Sequence, residues 1–225
     1  MAEGQHSASD LSSGGPLCSF QGQRVLVTGG SDGIGAVTAA LFHKRGAEVF
    51  VADIKPPEPS THLPGMHYIP CDAGLAADVA AAAGRVAAAG GCDVLVNNVA
   101  IQPEAPCHQM SLEQWDRTIA VNLTSYFLFS RACIRQMLDH KRGGVIVNIA
   151  SVQGSQSQPG IPSYAASKGG ILSLTRQLAV EYGRSNIRVN AVSPGTTATL
   201  IVQNILKTRG TTEEEAGKST CINRE

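Results

Sequence analysis

The sequence predicts an α/β fold: six parallel strands in one sheet, with helices on both faces, in three layers. Three observations carry this. From Gln23 onward, short β-branched runs alternate with longer helical stretches. The runs are almost continuously apolar, as strands buried on both faces should be. A cluster of glycines, Gly29, Gly30, Gly33 and Gly35, falls between the first run and the first helix, where a parallel sheet turns tightly into its crossover helix.

The elements follow in order. Residues 1–20 are polar, rich in Ser and Gly and without an apolar run, so they read as a disordered tail with neither a signal peptide nor a membrane span. RVLVT (24–28) is a first strand, 35–45 a helix ended by Gly46, and EVFVAD (48–53) a second strand. Residues 54–65 hold four prolines and cannot be helical. A third strand over 66–70 is therefore reached through a loop. An alanine-rich helix over 75–90 and a fourth strand, DVLVN (93–97), come next. Ser111 with Gln114 forms a capping-box signal and opens one long helix through Trp115, Val121, Phe127 and Met137. VIVNIA (145–150) is a fifth strand, 163–182 a second long helix, and IRVNAV (187–192) a sixth strand. A loop, a short apolar stretch (200–206) and a polar end (207–225) complete the chain. With 225 residues there is material for one large core and not for two. The expected division is a tail (1–20), one α/β domain (21–207) and a polar remnant (208–225).

Composition excludes several functions. Net charge is +0, and the longest basic block is His140-Lys141-Arg142, so nucleic acid and anionic membranes are not expected partners. The six cysteines lack any C-x-x-C spacing, which argues against a disulfide framework or a zinc site and points to a reducing, cytoplasmic setting. The six histidines are dispersed, so no metal is expected.

At one end of the predicted sheet lie the residues for a dinucleotide. Backbone N–H groups of Gly29, Ser31, Asp32, Gly33, Ile34 and Gly35 can meet a pyrophosphate at the positive end of a helix. Asp53 closes the second strand, where a carboxylate can accept from an adenosine ribose, or merely cap a turn. Asp53 and Asp32 would repel a 2′-phosphate that only Lys55 could offset, so NAD is expected over NADP. At the other end, Tyr164 and Lys168 share a helix face at i and i+4, just after Ser151 at the end of the fifth strand. Hydride transfer at a carbonyl needs a proton partner for the oxygen and a donor to polarise it. A tyrosine base near neutrality must be shifted by roughly 3 units, or ~4 kcal/mol. An ammonium about 4 Å away supplies about that much at an effective dielectric of ~20. Taken singly, Ser151 also fits an N-cap and Asn122 a buried helix polar group bonded to backbone.

In combination, TGGSDGIG (28–35), Asn97-Asn98-Val99-Ala100, Val121-Asn122, Ser151, Tyr164-Ala-Ala-Ser-Lys168 and Pro194-Gly195 make the chain resemble the short-chain dehydrogenase/reductase family, over about residues 23–199. The resemblance implies a Rossmann-like doubly wound sheet and Tyr164 as general acid/base. It further implies that Ser151 polarises the carbonyl, that Lys168 holds the nicotinamide ribose and lowers the tyrosine pKa, and that Asn122 orders a relay water. Asp72 would meet the adenine, Asn98 the cofactor ribose, and Pro194, Gly195, Thr197 and Thr199 the carboxamide end. Substrate would be a small alcohol or carbonyl compound, bounded by Gln102–Glu104, Gln153, Ser163 and the segment after Gly195. Homo-oligomers through the long helices bearing Trp115 and Tyr164 are implied as well.

Two departures stand out. The family's Asn-Asn-Ala-Gly is here Asn-Asn-Val-Ala, adding a methyl beside the cofactor path. Nothing after Pro194 reads as the family's seventh strand, so a truncated form with an exposed sixth strand is expected, and a weak or inactive dinucleotide-binding paralogue is the alternative function. A hydrolase is disfavoured because Ser151 has no Gly-x-Ser-x-Gly elbow. Asn122-Leu123-Thr124 matches a glycosylation acceptor, discounted for its place in the candidate site.

Overall fold

The computed structural model describes residues 19–57 and 63–197. Its strands are β1 (Arg24–Thr28), β2 (Glu48–Asp53), β3 (His67–Pro70), β4 (Val94–Asn97), β5 (Gly144–Ile149) and β6 (Ile187–Val192), with helices α1 (Gly33–Lys44), α2 (Ala76–Ala88), α3 (Leu112–Ile119), α4 (Ser125–His140) and α5 (Pro162–Tyr182). All six strands pair in parallel in the order β3-β2-β1-β4-β5-β6. The chain runs outward from β1 to β3, then returns across β1 to β4. That reversal opens a crevice at the carboxyl ends of β1 and β4, where ligands bind in such sheets. Thr199, the stretch 200–206 and the polar end lie outside the described residues.

Side-chain alternation along each strand feeds two cores. Leu26, Phe50, Ile69, Leu95 and Ile146 point to one face and pack with Val79 and Val86 of α2, Phe129, Ile134 and Met137 of α4, and Leu178 of α5. Val25, Val27, Val49, Val51, Val94 and Val96 point to the other, against Ala39 of α1. Each fully buried Val or Leu contributes about 1.5–3 kcal/mol, so the four inner strands anchor the site above them. Helices do cover both faces, but unevenly: among the described helices α1 alone lies on the second face, and Val145 and Ile149 there are only partly buried. Burial on both faces also fails at the edges. In β6, Ile187 and Val189 are buried while Arg188 and Asn190 are exposed, and β3 buries only Ile69. In β6 the alternate residues Arg188, Asn190 and Val192 share one face, and that face is left to solvent.

Three local differences from the sequence reading have physical causes. α1 begins at Gly33 because the Asp32 carboxylate accepts from the Gly33 N–H at 2.6 Å, capping the helix two residues early. The long helix after Ser111 is two helices joined by a single π-helical turn, Ala120–Thr124. Its capping box is present, Gln114 N–H donating to Ser111 Oγ at 3.1 Å and Ser111 N–H to Gln114 Oε1 at 3.2 Å. Phe20, expected in the tail, packs edge-on against Phe42 and donates its N–H to the Arg45 carbonyl at 3.0 Å.

Candidate active site

A cavity of about 340 Å³ opens along the carboxyl edge of the sheet. At its β1 end, Gly29 holds φ at +63°, a left-handed conformation that favours glycine, and a Cβ there would lie 2.7 Å from Val99 Cα. A Cβ on Gly35 would run into the Gly29 carbonyl and the Asn98 amide. The turn is therefore a backbone cradle that side chains would fill. Asn98 locks it by donating to the Thr28 and Gly29 carbonyls at 3.1 and 2.8 Å, while Thr28 Oγ1 accepts from the Asn98 and Val99 N–H groups at 3.0 and 3.3 Å.

Asp53 lies at the end of β2 and accepts from the Ser31 and Lys55 N–H groups at 3.0 and 3.1 Å. It thus caps the turn and also faces the cavity. Asp72 sits beyond it, after β3, clamped by Arg117 of α3 at 2.8 and 2.9 Å. Burial pushes the Asp72 carboxyl upward, but hydrogen bonds from Arg117 and the Gly74 N–H, with the guanidinium charge, outweigh it and hold the group below its usual value. Arg117 was not legible in the sequence; only the folded chain brings a side chain of α3 to a residue 45 positions earlier. Cys71, next to Asp72, also lines the cavity, with its thiol pushed up to about 12 by burial and then by Asp78, Asp72 and Asp53. That shift favours the protonated thiol, the poorly nucleophilic form.

At the β5 end the same cavity is lined by Ser151, Tyr164 and Lys168. Ser151 Oγ caps the short turn Val152–Gly154, accepting from Gln153 N–H at 3.1 Å. Burial raises the Tyr164 hydroxyl, and a hydrogen bond with Ser151 works against that rise. Lys168 is 2% exposed, and its Nζ donates to the Ile149 carbonyl at 2.6 Å. Burial lowers its pKa from 10.5 to about 7. In the site as it stands, burial is the largest influence on both groups. Both groups are desolvated, and the lysine spends a proton on a backbone carbonyl with its Nζ 5.5 Å from the Tyr164 ring centre.

Of the other expected residues, Ile34, Asp32, Gly33, Pro194, Gly195 and Thr197 line the cavity, as do Ala100 and Gln102. Ser31 and Gly35 brace the loop from behind. Asn122 does not line the cavity. It is fully buried in the π turn, accepting from the Ile101 N–H and donating to the Ile101 carbonyl, both at 2.9 Å, and to Ser167 Oγ at 3.2 Å. Its amide clamps the wall of the site and has no donor left for a water. Ser163 is fully buried and, like Gln153, stands outside the lining.

The residues fit a dinucleotide: a side-chain-free cradle at a helix start, a carboxylate at the β2 end, and a buried lysine at the far end of one continuous cavity. Fold and site define a Rossmann-like oxidoreductase. The family model for short chain dehydrogenase matches residues 23–210. The chain is 37% identical over 187 residues to 5-keto-D-gluconate 5-reductase of Escherichia coli, spanning 80% of this chain and 73% of that protein. To 3beta-hydroxysteroid dehydrogenase 1 of Eggerthella lenta it is 38% identical over 187 residues, 78% and 71% of the two chains. A crystal structure of 3-ketoacyl-(acyl-carrier-protein) reductase from Brucella melitensis complexed with NADH superposes with a TM-score of 0.76 at 28% identity, covering 82% of this chain and 80% of that one. The chain belongs to the short-chain dehydrogenase family, oxidoreductases that move a hydride between a nicotinamide dinucleotide and an alcohol or carbonyl.

Proposed function

We propose that the chain is an NAD(H)-preferring alcohol dehydrogenase or ketone reductase acting on a small molecule, with Tyr164 as its general acid/base. The observation that carries this is the single cavity joining the glycine cradle and Asp53 to Ser151, Tyr164 and Lys168. Gly29, Asp32, Gly33 and Ile34 would hold the pyrophosphate in a loop that Ser31 and Gly35 shape, with Asp53 at the adenosine ribose and Asp72 at the adenine edge. Asn98 would lie along the cofactor ribose, and Lys168, Pro194, Gly195 and Thr197 would hold the nicotinamide half, with Thr199 assigned there by its place in the sequence. When bound, the nicotinamide supplies or accepts the hydride.

The chain's own groups handle the proton. In the reducing direction the Tyr164 hydroxyl gives its proton to the substrate oxygen, and the Ser151 hydroxyl donates to that same oxygen. In the oxidising direction Tyr164 takes the proton back. Lys168, as an ammonium, favours the tyrosinate that each cycle must pass through. Asn122 serves the site as a clamp on Ile101. The preference for NAD rests on Asp53 and Asp32, two carboxylates beside the place of a 2′-phosphate. The four described cysteines, Cys71, Cys92, Cys107 and Cys133, are free, consistent with a reducing cytoplasm as the proposed location.

The test is NADH binding by fluorescence, then turnover over polyols, sugar acids and hydroxysteroids. Tyr164→Phe should keep NADH binding and lose about 10²–10⁴-fold in kcat. Binding without turnover of any substrate, indifferent to that change, would establish a dinucleotide-binding protein without the chemistry.

A further inference from the structure

Lys168 has a neighbour that neither the sequence nor the proposed chemistry accounts for. Tyr126 lies on α4, fully buried, and its hydroxyl donates to the Ile149 carbonyl at 3.1 Å. That is the carbonyl to which Lys168 Nζ donates at 2.6 Å. The Nζ lies 5.5 Å from the centre of the Tyr126 ring and 5.5 Å from that of Tyr164, within cation–π range of both. A phenylalanine would fill the same volume in a core; a buried hydroxyl is costly unless its bond is used. Here the hydroxyl ties the ring to the same acceptor that Lys168 uses.

We propose that Tyr126 is a positioning residue for Lys168: tied to the same carbonyl, its ring supplies the aromatic face that keeps the buried ammonium charged and in place. A lysine this deeply buried normally finds a carboxylate. Among the described residues Lys168 forms no ion pair, and its burial works against the charge. Among the described residues, the titratable groups against it are Tyr126 and Tyr164. Burial raises both hydroxyls, Tyr126 well above its ordinary value, so they remain neutral while the lysine titrates. Asp53 and Asp72 line the same cavity, but from the ends of β2 and β3, across β4 and β1 from Lys168. The ammonium is therefore held by one carbonyl and two ring faces, joining α4, β5 and α5 at a single atom.

The importance of Lys168 to turnover rests on the dehydrogenase reading, but the test does not. It uses the full chain without cofactor, labelled with [ε-13C]lysine, and follows the Lys168 resonance, assigned with Lys168→Arg, against pH. The wild-type midpoint is expected at about 7. Two shape-conserving changes are compared: Tyr126→Phe, and 3,4,5-trifluorophenylalanine at the same position, which withdraws electron density from the ring. Tyr126→Phe should leave the midpoint within about 0.3 unit, because the ring face is kept. The fluorinated ring should lower it by a further ~0.7 unit, roughly fivefold in proton affinity. A midpoint that is equal in the two variants, whether at the wild-type value or below it, overturns the proposal. Because no substrate or cofactor is present, either result stands apart from whether the enzyme turns over.

Discussion

Lys168 concentrates the tension of this site in one side chain. Its ordinary pKa of 10.5 falls to about 7 on burial. Between those two values the unfolded chain binds more protons at this residue than the folded one, so stability rises with pH from about 7 toward 10. Below about 7 both states hold the proton, and the cost of burying the charge is felt in full. Lys168→Met should thus raise stability by about 2 kcal/mol or more at pH 6, with the gain shrinking by pH 9, as read from urea unfolding midpoints. A gain of the same size at both values would show that the lysine is not buried as an ammonium. The same substitution should abolish turnover, so the native lysine is retained at a cost in stability. Asp53 invites a second residue-level change. Removing its carboxylate with Asp53→Ala should improve kcat/KM for NADP relative to NAD by about tenfold or more, measured with both cofactors on one substrate. An unchanged ratio would move the selectivity to Asp32.

Among the elements, the turn between β1 and α1 is the least tolerant. Gly35→Ala places a methyl onto the Gly29 carbonyl and 2.5 Å from the Asn98 amide nitrogen, so the cradle must open. NADH affinity should fall more than about tenfold by fluorescence titration, with overpacking taking a further 1–3 kcal/mol of stability. Unaltered affinity would mean the pyrophosphate lies elsewhere. This turn was legible in the sequence because glycine is the residue such backbone requires. So were the bounds of β1, β2 and β6, where apolar runs meet polar or glycine breaks. The break between α3 and α4 was not. The π turn holds no glycine or proline, and what stabilises it is Asn122 reaching Ile101 across the site. Arg117 and Tyr126 were hidden for the same reason. Each reads as an ordinary helix residue, and each gains its role only from a partner on another element. Ser151 and Asp53 show the converse. The turn-capping uses that the sequence allowed for them are both present, at residues that also face the cavity.

At the scale of the whole molecule, the helices that carry the chemistry also present apolar side chains to solvent. Leu112 is 73% exposed, Trp115 37%, Phe127 44% and Val180 83%, and these residues lie on α3, α4 and α5. No helix in the described residues is long and apolar enough to cross a membrane. Phe127 also carries Arg131 over its ring at 5.3 Å, an aromatic–guanidinium pairing of the kind enriched at protein interfaces. The expected consequence is self-association through these helices. It would matter for catalysis because α5 holds Tyr164 and Lys168, and α4 holds Tyr126. A partner laid on the outer face of these helices would stiffen the frame that sets the ammonium against its carbonyl. Phe127→Glu puts a charge where a copy would pack and should weaken association by about 30-fold or more. Sedimentation velocity at micromolar concentration would then show the mass falling to that of a single 23.4 kDa chain. Far-ultraviolet circular dichroism should stay native, while turnover falls with the associated fraction. Loss of association with full retention of activity would separate the two roles, leaving the apolar face to assembly and the site to the single chain. An unchanged mass would place any interface on another face of the molecule.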